Sequence, residues 1–373
     1  MPRSAGRKLT PTTPAPPDLG LRTRPDETDD TEAGGSWQVY FLSLVDPANP
    51  DHDFGLVKVG ITEKDVEERI EQLQTGNPYH LCCERSFRSQ VARQIEHFVH
   101  RTSQVAQLEW VRLARSEIPD LVKRAQQEGE RLARIEEARA RWSHSESNDM
   151  ERQPGAEEGR LHEEVRGILA ELWPVKLRLE LTRTRIALQA GKVLRIPGIV
   201  TIWHLPSSGP FNSKTACEKF SDLAAAHTIE EVDGTFQWLE TPTRGSPGWT
   251  RLREEVAHLG KQRRELDAAM LNNDDWLRKE GERTDDLAHL HDEYLGLIRQ
   301  KARLELDEEY IQAQAIQAIE NFERIAGVCT FRRSKGLVLN NKSFCQAHPN
   351  EAAQCTLERE AHIRRRIYTS RSY

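Results

Sequence analysis

Two similar segments in the C-terminal half constrain the fold of this chain more than any other feature of its sequence. One begins with LHEEVRGILAELW at Leu161, and the other begins with LHDEYLGLIRQKA at Leu290, 129 residues later. The same spacing places Gly198 over Gly327. Self-similarity of this kind indicates that one structural unit occurs twice. Each copy has the pattern of a long helix, a glycine and a short β-branched strand, which predicts a mostly α-helical C-terminal region with an internal duplication.

The long helices of this region need partners. Charged residues make up 30% of the 373 residues, and helices of such composition are not stable alone. We therefore expect them to pack antiparallel to each other or across a homodimer. Pro174 is expected to kink or split the first long helix, because proline lacks the amide hydrogen that its turn requires. A further charged helix is predicted at 249–283.

The composition excludes several classes of protein. No apolar run approaches the roughly 18 residues of a membrane span, and the N-terminus lacks the apolar segment of a signal peptide. We expect a cytoplasmic protein without membrane contacts. The six cysteines form no C-x-x-C pair, which favours reduced thiols over a zinc site. Residues 1–35 are rich in Pro, Thr and Asp and are predicted to be a disordered tail.

An α+β module precedes the helical region. Apolar runs at 38–45 and 55–61 flank the turn-forming DPANPDHD and predict a β-hairpin. Helical periodicity follows from Lys64 and again from Val91, with short strands predicted at 81–87 and 108–113, so we expect a small antiparallel sheet flanked by helices. The predicted organisation is a tail (1–35), this module (36–116), a charged helix with a linker (117–160), the first copy (161–243), a connecting helix (244–289) and the second copy (290–373).

The second strand of the hairpin contains an anomaly. In VKVGIT, Lys58 stands between two valines and shortly before Gly60. Burying the ammonium group of a lysine removes it from water, which costs several kcal/mol unless another group compensates the charge. A glycine in the interior of a strand weakens that strand. Departures from local rules of this kind are typical of functional sites.

The order of motifs around this strand resembles the GIY-YIG endonuclease superfamily, in particular a phage-type subgroup whose second motif reads VKIGIT. The motifs are QVYF, VKVGIT, an arginine nine residues after Gly60, QLQTGNP, IEHFVH and LEWV, and they span about 37–113. Two departures are Gln38 in place of the first motif's glycine and a longer loop between the strands. The resemblance implies a metal-dependent DNA endonuclease.

The resemblance also implies roles for individual residues. Tyr40 takes the first tyrosine position, Lys58 the second, Arg69 that of the phosphate-binding arginine and Glu96 that of the metal ligand. His100 lies one helical turn after Glu96 and on the same face, either in contact with phosphate or as a plain surface histidine. One carboxylate with several waters suits Mg²⁺ or Mn²⁺. Either Lys58 or Tyr40 is the general base that activates water, and the sequence leaves this choice open.

Arginines supply a possible DNA interface. The candidates in the module are Arg85, Arg88, Arg93, Arg101, Arg112 and Arg115, and a second patch or solvated tail contains Arg364, Arg365, Arg366 and Arg371. Glu109 and Trp110 are expected at the rim of the site, with Trp110 in the core rather than stacked on a base. The alternatives to an enzyme are a non-catalytic nucleic-acid-binding module and an adaptor for a protein partner. DNA and RNA both remain open as substrates.

Overall fold

The computed structural model describes residues 37–107, 109–142, 145–205, 210–241, 247–356 and 361–369. The tail predicted to be disordered and Arg371 lie outside these ranges. The strands are β1 (Trp37–Val45), β2 (Leu56–Thr62), β3 (His80–Ser89), β4 (Val105–Gln107), β5 (Trp110–Arg112), β6 (Glu151–Arg152), β7 (Arg195–Ile196), β8 (Val200–Leu205), β9 (Thr228–Trp238), β10 (Arg324–Ile325), β11 (Cys329–Leu339) and β12 (His362–Ile367). The helices are α1 (Val66–Gln74), α2 (Ala92–Thr102), α3 (Ile118–Trp142), α4 (Ala156–Ala190), α5 (Ser213–Lys219), α6 (Ser221–Ala225), α7 (Pro247–Leu271), α8 (Asp285–Ile319), α9 (Asn341–Ala347) and α10 (Pro349–Ala353).

The N-terminal strands form one antiparallel sheet of five strands, in the order β3-β1-β2-β5-β4. Because side chains alternate along a strand, the sheet has two different faces. Val39, Phe41 and Val59 face a core shared with α2 and α3, whereas Tyr40 and Leu42 face α1. The prediction of an antiparallel α+β module followed by a mostly helical region is confirmed.

The module shares its core with the helical region. Leu306 and Ala313 of α8 belong to the same buried cluster as Ile95 of α2. Two polar contacts join the same helices: Arg101 forms an ion pair with Glu305 at 3.3 Å, and Arg303 donates to the carbonyl oxygen of Thr102 at 3.3 Å. The N-terminal α+β module is therefore packed directly against the long helices.

The first elements of the two halves of the helical region recur at a constant spacing. Helices α3 and α7 have 25 residues each, and α4 and α8 have 35 each. Each later helix begins 129 residues after its counterpart, and so does β10 after β7. Gly198 and Gly327, which are also 129 residues apart, both adopt positive φ values, of 72° and 68°. The correspondence thus begins at α3, before the predicted start at Leu161.

Each half gives its last strand to the sheet of the other half. Strand β9 pairs with β11, and β12 pairs with β8, both antiparallel. Two buried histidines hold the ends of these exchanged segments. His162 donates from Nε2 to the carbonyl oxygen of Leu239 at 2.8 Å, and His291 donates in the same way to Tyr368 at 2.8 Å. The long helices, which were predicted to need a packing partner, pack against other elements of the same chain.

Some predicted elements differ from those observed. Helix α4 runs through Pro174 without a break, so the predicted split is wrong. The charged helix expected at 249–283 ends at Leu271 and a 3₁₀ turn follows. The predicted linker contains β6, which pairs with β10. Strand β4 was missed because three residues carry too little periodicity. No helix in the described part of the chain is long and apolar enough to cross a membrane.

Candidate active site

The pairing of β1 and β2 brings the two motif strands together. Tyr40 lies opposite Gly60, and Leu42 lies opposite Lys58. Tyr40 and Lys58 therefore project from the same face of the sheet. The Tyr40 ring lies across Gly60, where an added Cβ atom would be 2.5 Å from the phenol oxygen. The glycine in VKVGIT is thus explained by the close approach of the tyrosine.

Arg69 on α1 covers the hydroxyl group of Tyr40. Burial raises the pKa of the Tyr40 phenol, and a hydrogen bond from Arg69 opposes that rise. Tyr40 is only 1% exposed, whereas Arg69 is half-buried and also donates to Gln72 at 3.1 Å. The arginine predicted to bind phosphate therefore sits between the tyrosine and solvent.

Lys58 has a partner that the sequence did not assign to it. Its side chain is 9% exposed, and its ammonium group forms an ion pair with the carboxylate of Glu109. The strands fix this contact, because Val59 donates its backbone N–H to the Glu109 carbonyl oxygen at 3.1 Å. Glu109 was expected only at the rim. Because a buried lysine requires a counter-charge, a carboxylate near the last strand of the module was the sequence signal that could have identified Glu109.

Helix α2 brings Glu96 and His100 to the edge of the sheet. Both are partly buried and flank the apolar stripe of Ile95 and Val99 that packs on the sheet. The negative charge of Glu96 acts on the Tyr40 hydroxyl and raises its pKa, as does that of Glu109. Glu96 thus acts on Tyr40 through its charge, although α2 packs against the face of the sheet opposite Tyr40.

His100 is held by the backbone of β2. Its Nε2 lies 3.2 Å from the carbonyl oxygen of Val59, and because a carbonyl only accepts hydrogen bonds, Nε2 carries the proton. The other nitrogen, Nδ1, is buried and has no hydrogen-bond partner within the described ranges. Burial also lowers the pKa of His100. The imidazole is thus neutral at pH 7, with an unprotonated Nδ1.

The donor atoms fit a cation that takes few protein ligands. Among the residues that the structure describes, no group of three or more His, Cys, Asp or Glu side chains could hold a metal ion. A structural zinc site is therefore not formed there. Glu96 offers one partly exposed carboxylate, and Mg²⁺ commonly binds through one or two carboxylates while keeping several waters. A hydrated Mg²⁺ or Mn²⁺ bound by Glu96 stays a prediction.

The predicted DNA-binding arginines do not form one continuous track. Arg93 stacks on the Trp37 ring at 4.7 Å, Arg101 pairs with Glu305, and Arg115 pairs with Glu84 at 2.6 Å. Arg85, Arg88 and Arg112 are exposed. The register places Arg88 opposite Gln38, on the Tyr40 face, and Arg85 opposite Phe41, on the other face.

The C-terminal patch is part of the fold. Arg364, Arg365 and Arg366 lie in β12, so the expectation of a solvated tail is wrong for these three residues. Trp110 is half-buried beside the cluster that contains Tyr40, as predicted for a core position. No protein-family model matches the chain, and no curated protein or solved structure matches it significantly. The function has to be argued from this geometry.

Proposed function

We propose that the chain is a metal-dependent endonuclease that hydrolyses phosphodiester bonds in DNA by a single-metal reaction of the GIY-YIG type. The observation that carries the proposal is the β1–β2 register, which puts Tyr40 and Lys58 on one face of the sheet, where Arg69 of α1 is hydrogen-bonded to the Tyr40 hydroxyl group. Lys58 lies on β2, and its partner Glu109 directly precedes the adjoining strand β5. A cation-binding carboxylate, a guanidinium group and proton-carrying groups are the parts that this reaction requires.

The residues divide the chemistry between them. Arg69 is permanently charged and has a forked donor geometry that suits the non-bridging oxygens of a phosphate. Glu96 would hold Mg²⁺ or Mn²⁺, which supplies charge stabilisation at the leaving oxygen. The Tyr40 ring lies across Gly60, and its hydroxyl group is hydrogen-bonded to Arg69. Tyr40 therefore positions the guanidinium group over the sheet. Lys58 adds a positive charge that Glu109 balances.

Three groups compete for the role of general base. Burial raises the pKa of Tyr40, which disfavours the phenolate at neutral pH. The Lys58 ammonium group is engaged by the Glu109 carboxylate, to which it donates a hydrogen bond. His100 is the member of the site whose unprotonated form is favoured by burial. We therefore assign proton acceptance to His100, whose buried Nδ1 has to become exposed when substrate binds, and an electrostatic role to Lys58.

The helical region is proposed to be an internal duplication of a unit that begins with α3 in one copy and with α7 in the other. Its support is the recurrence of helix lengths, of positive-φ glycines and of the histidine–carbonyl contacts at a spacing of 129 residues. The exchanged strands bury each copy against the other. We propose that this region is a rigid internal pseudo-dimer that supports the nuclease module and positions its DNA.

A plasmid assay tests the enzymatic proposal. The purified chain should nick supercoiled DNA with Mg²⁺ or Mn²⁺ and not with EDTA. Glu96→Gln and Arg69→Ala should each lower the rate by at least about 100-fold, in the range seen when a group that stabilises the transition state is removed. Glu71→Gln on the exposed face of α1 is the matched control and should nick normally. An RNA of the same sequence tests the alternative substrate.

The second candidate is a nucleic-acid-binding module without catalysis. The burial of Tyr40 and the neutralisation of Lys58 by Glu109 favour it, because both reduce the reactive groups open to solvent. Such a module should bind DNA equally well with and without Mg²⁺ and never nick it. Nicking that persists unchanged in Glu96→Gln would contradict the proposed enzyme.

A further inference from the structure

A cavity beside β12 has an unusual concentration of arginines. Its volume is about 450 Å³, and Arg183, Arg263, Asp267, Tyr294 and Arg365 contribute to its lining. This volume lies within the range of about 300–1,000 Å³ that small-molecule sites occupy. The cavity is formed by α4, α7, α8 and the exchanged strand β12, at a distance in sequence from every motif of the nuclease module.

Arg365 is the most deeply buried cation of this cavity. Its side chain is 7% exposed and forms an ion pair with Asp267, while one Nη donates to the Met270 sulfur at 3.4 Å. Its Nε is buried and has no partner in the described part of the chain. A buried guanidinium with an unused donor is costly to desolvate unless an acceptor arrives.

Two further arginines, Arg263 and Arg183, give the cavity an excess of positive charge. Arg263 donates to Glu180 at a long 3.5 Å, and its Nε is likewise buried without a partner among the described residues. Arg183 is exposed at the mouth, and no ion pair links it to a carboxylate in the described ranges. With the exposed Arg364 and Arg366, five arginines line the cavity together with one carboxylate, that of Asp267.

The corresponding cavity in the other half of the pseudo-dimer lacks these charges. It has a volume of about 300 Å³ and contains Ala138, Phe236 and Gln312, which lie 129 residues from Asp267, Arg365 and Arg183. Its own Arg139 is satisfied by Glu136 at 2.9 Å and by Glu309 at 3.4 Å. The same fold is therefore stable without the charged set, so packing alone does not require it.

We propose that the cavity formed by Arg183, Arg263, Asp267 and Arg365 is a binding site for a phosphate group. Arginine matches the oxygens of a phosphate through two parallel hydrogen bonds, and Asp267, the one carboxylate among the lining residues, balances only part of their positive charge. Tyr294 and the apolar side of β12 line the remainder and accommodate an uncharged part of the ligand. A phosphate carried by a small nucleotide and one in a nucleic-acid backbone share this chemistry.

Ligand-induced thermal stabilisation tests the site without using nuclease activity. The melting temperature of the full chain is measured with inorganic phosphate, adenosine 5′-monophosphate and a short DNA duplex, each against NaCl of equal ionic strength and without divalent metal. A ligand that binds the folded state raises the melting temperature according to its concentration and Kd. We expect inorganic phosphate and the mononucleotide to stabilise the wild-type chain.

Arg183→Gln is the decisive variant, because it installs the residue found at the equivalent position of the other half. It should raise the Kd for phosphate about tenfold, which corresponds to about 1.4 kcal/mol, because one charged hydrogen-bond donor is lost. Arg160→Gln, at the exposed start of the same helix, is the matched control and should leave the Kd unchanged. The double variant Asp267→Ala, Arg365→Phe copies the other cavity and should abolish binding.

The outcomes distinguish the two sources of phosphate from each other and from the absence of a phosphate site. Stabilisation by the duplex alone, lost in Arg183→Gln, assigns the site to a nucleic-acid backbone. Stabilisation by the mononucleotide assigns it to a small ligand. Equal stabilisation of wild type and Arg183→Gln, or none by any of the three probes, overturns the site. The result is independent of whether the chain nicks DNA.

Discussion

Replacing Gly60 with alanine is expected to displace the Tyr40 ring. A Cβ atom at this position would lie 2.5 Å from the phenol oxygen of Tyr40 and 2.6 Å from its Cζ. Carbon atoms in contact are normally about 3.5–4.0 Å apart. Tyr40 is 1% exposed and packs among Leu42, Val66 and Leu81, so its ring can move only by disturbing these neighbours or by leaving the core.

The expected magnitude follows from overpacking. Inserting a methyl group into a tightly packed core costs about 1–3 kcal/mol, which we expect for Gly60→Ala in the wild-type chain. Tyr40→Ala should cost about 3–5 kcal/mol, as other large aromatic truncations do. In that background the new Cβ meets no ring. Gly60→Ala should then be neutral or stabilise the protein by up to about 1 kcal/mol, through the unfolded chain.

Urea denaturation of the four proteins measures this cycle, with the free energy of unfolding as the readout. Gly336→Ala in β11 is the control, because an added Cβ there has no neighbour within 4 Å. It should change stability little. Gly60→Ala should also reduce nicking, because Arg69 loses its support from Tyr40. Equal destabilisation by Gly60→Ala with and without Tyr40 would refute the steric explanation.

Two further predictions concern the charges of the site. Glu109→Gln should destabilise the chain by about 1–3 kcal/mol, because it leaves the Lys58 ammonium group buried without a counter-charge. Lys58→Met should destabilise the chain less, and it should restore stability to Glu109→Gln. A urea titration in which the double variant is the least stable protein would contradict this explanation. Because burial lowers the pKa of His100, nicking should stay constant from pH 8 down through about 6.5, the ordinary histidine value, and fall only in more acidic buffer. A rate that still climbs above pH 8 would contradict the assignment of the base to His100. Stability should fall in the same acidic range, because the unfolded chain binds the proton first, and His100→Gln should remove both effects.

The helices and long strands of the module were predictable because their patterns are local. The run before DPANPDHD became β1, and the apolar spacing of Val91, Ile95 and Val99 became α2. The two-residue strands β6, β7 and β10 were not predictable. Their residues are extended because a neighbouring strand pairs with them, and so short a segment has no period of its own.

The sequence named candidate members of the site but not the contacts between them. Motif order identified Tyr40, Lys58, Arg69 and Glu96 as candidates, but it assigned no partner to Lys58. Glu109 takes this place because β5 aligns beside β2 in a register that also binds the Val59 amide. That register depends on the packing of the whole sheet, so the lysine alone indicated only that some counter-charge was required.

The sequence by itself determined the alternation of strands and helices, the spacing of the two similar segments and the presence of a lysine that needed compensation. These properties follow from the chemistry of neighbouring residues and survive in any arrangement of the chain. Only the tertiary structure decided that β9 and β12 exchange between the halves, and that Arg365 faces a cavity where its counterpart is Phe236. Such choices depend on contacts between residues far apart in sequence, whose free energies no local pattern records.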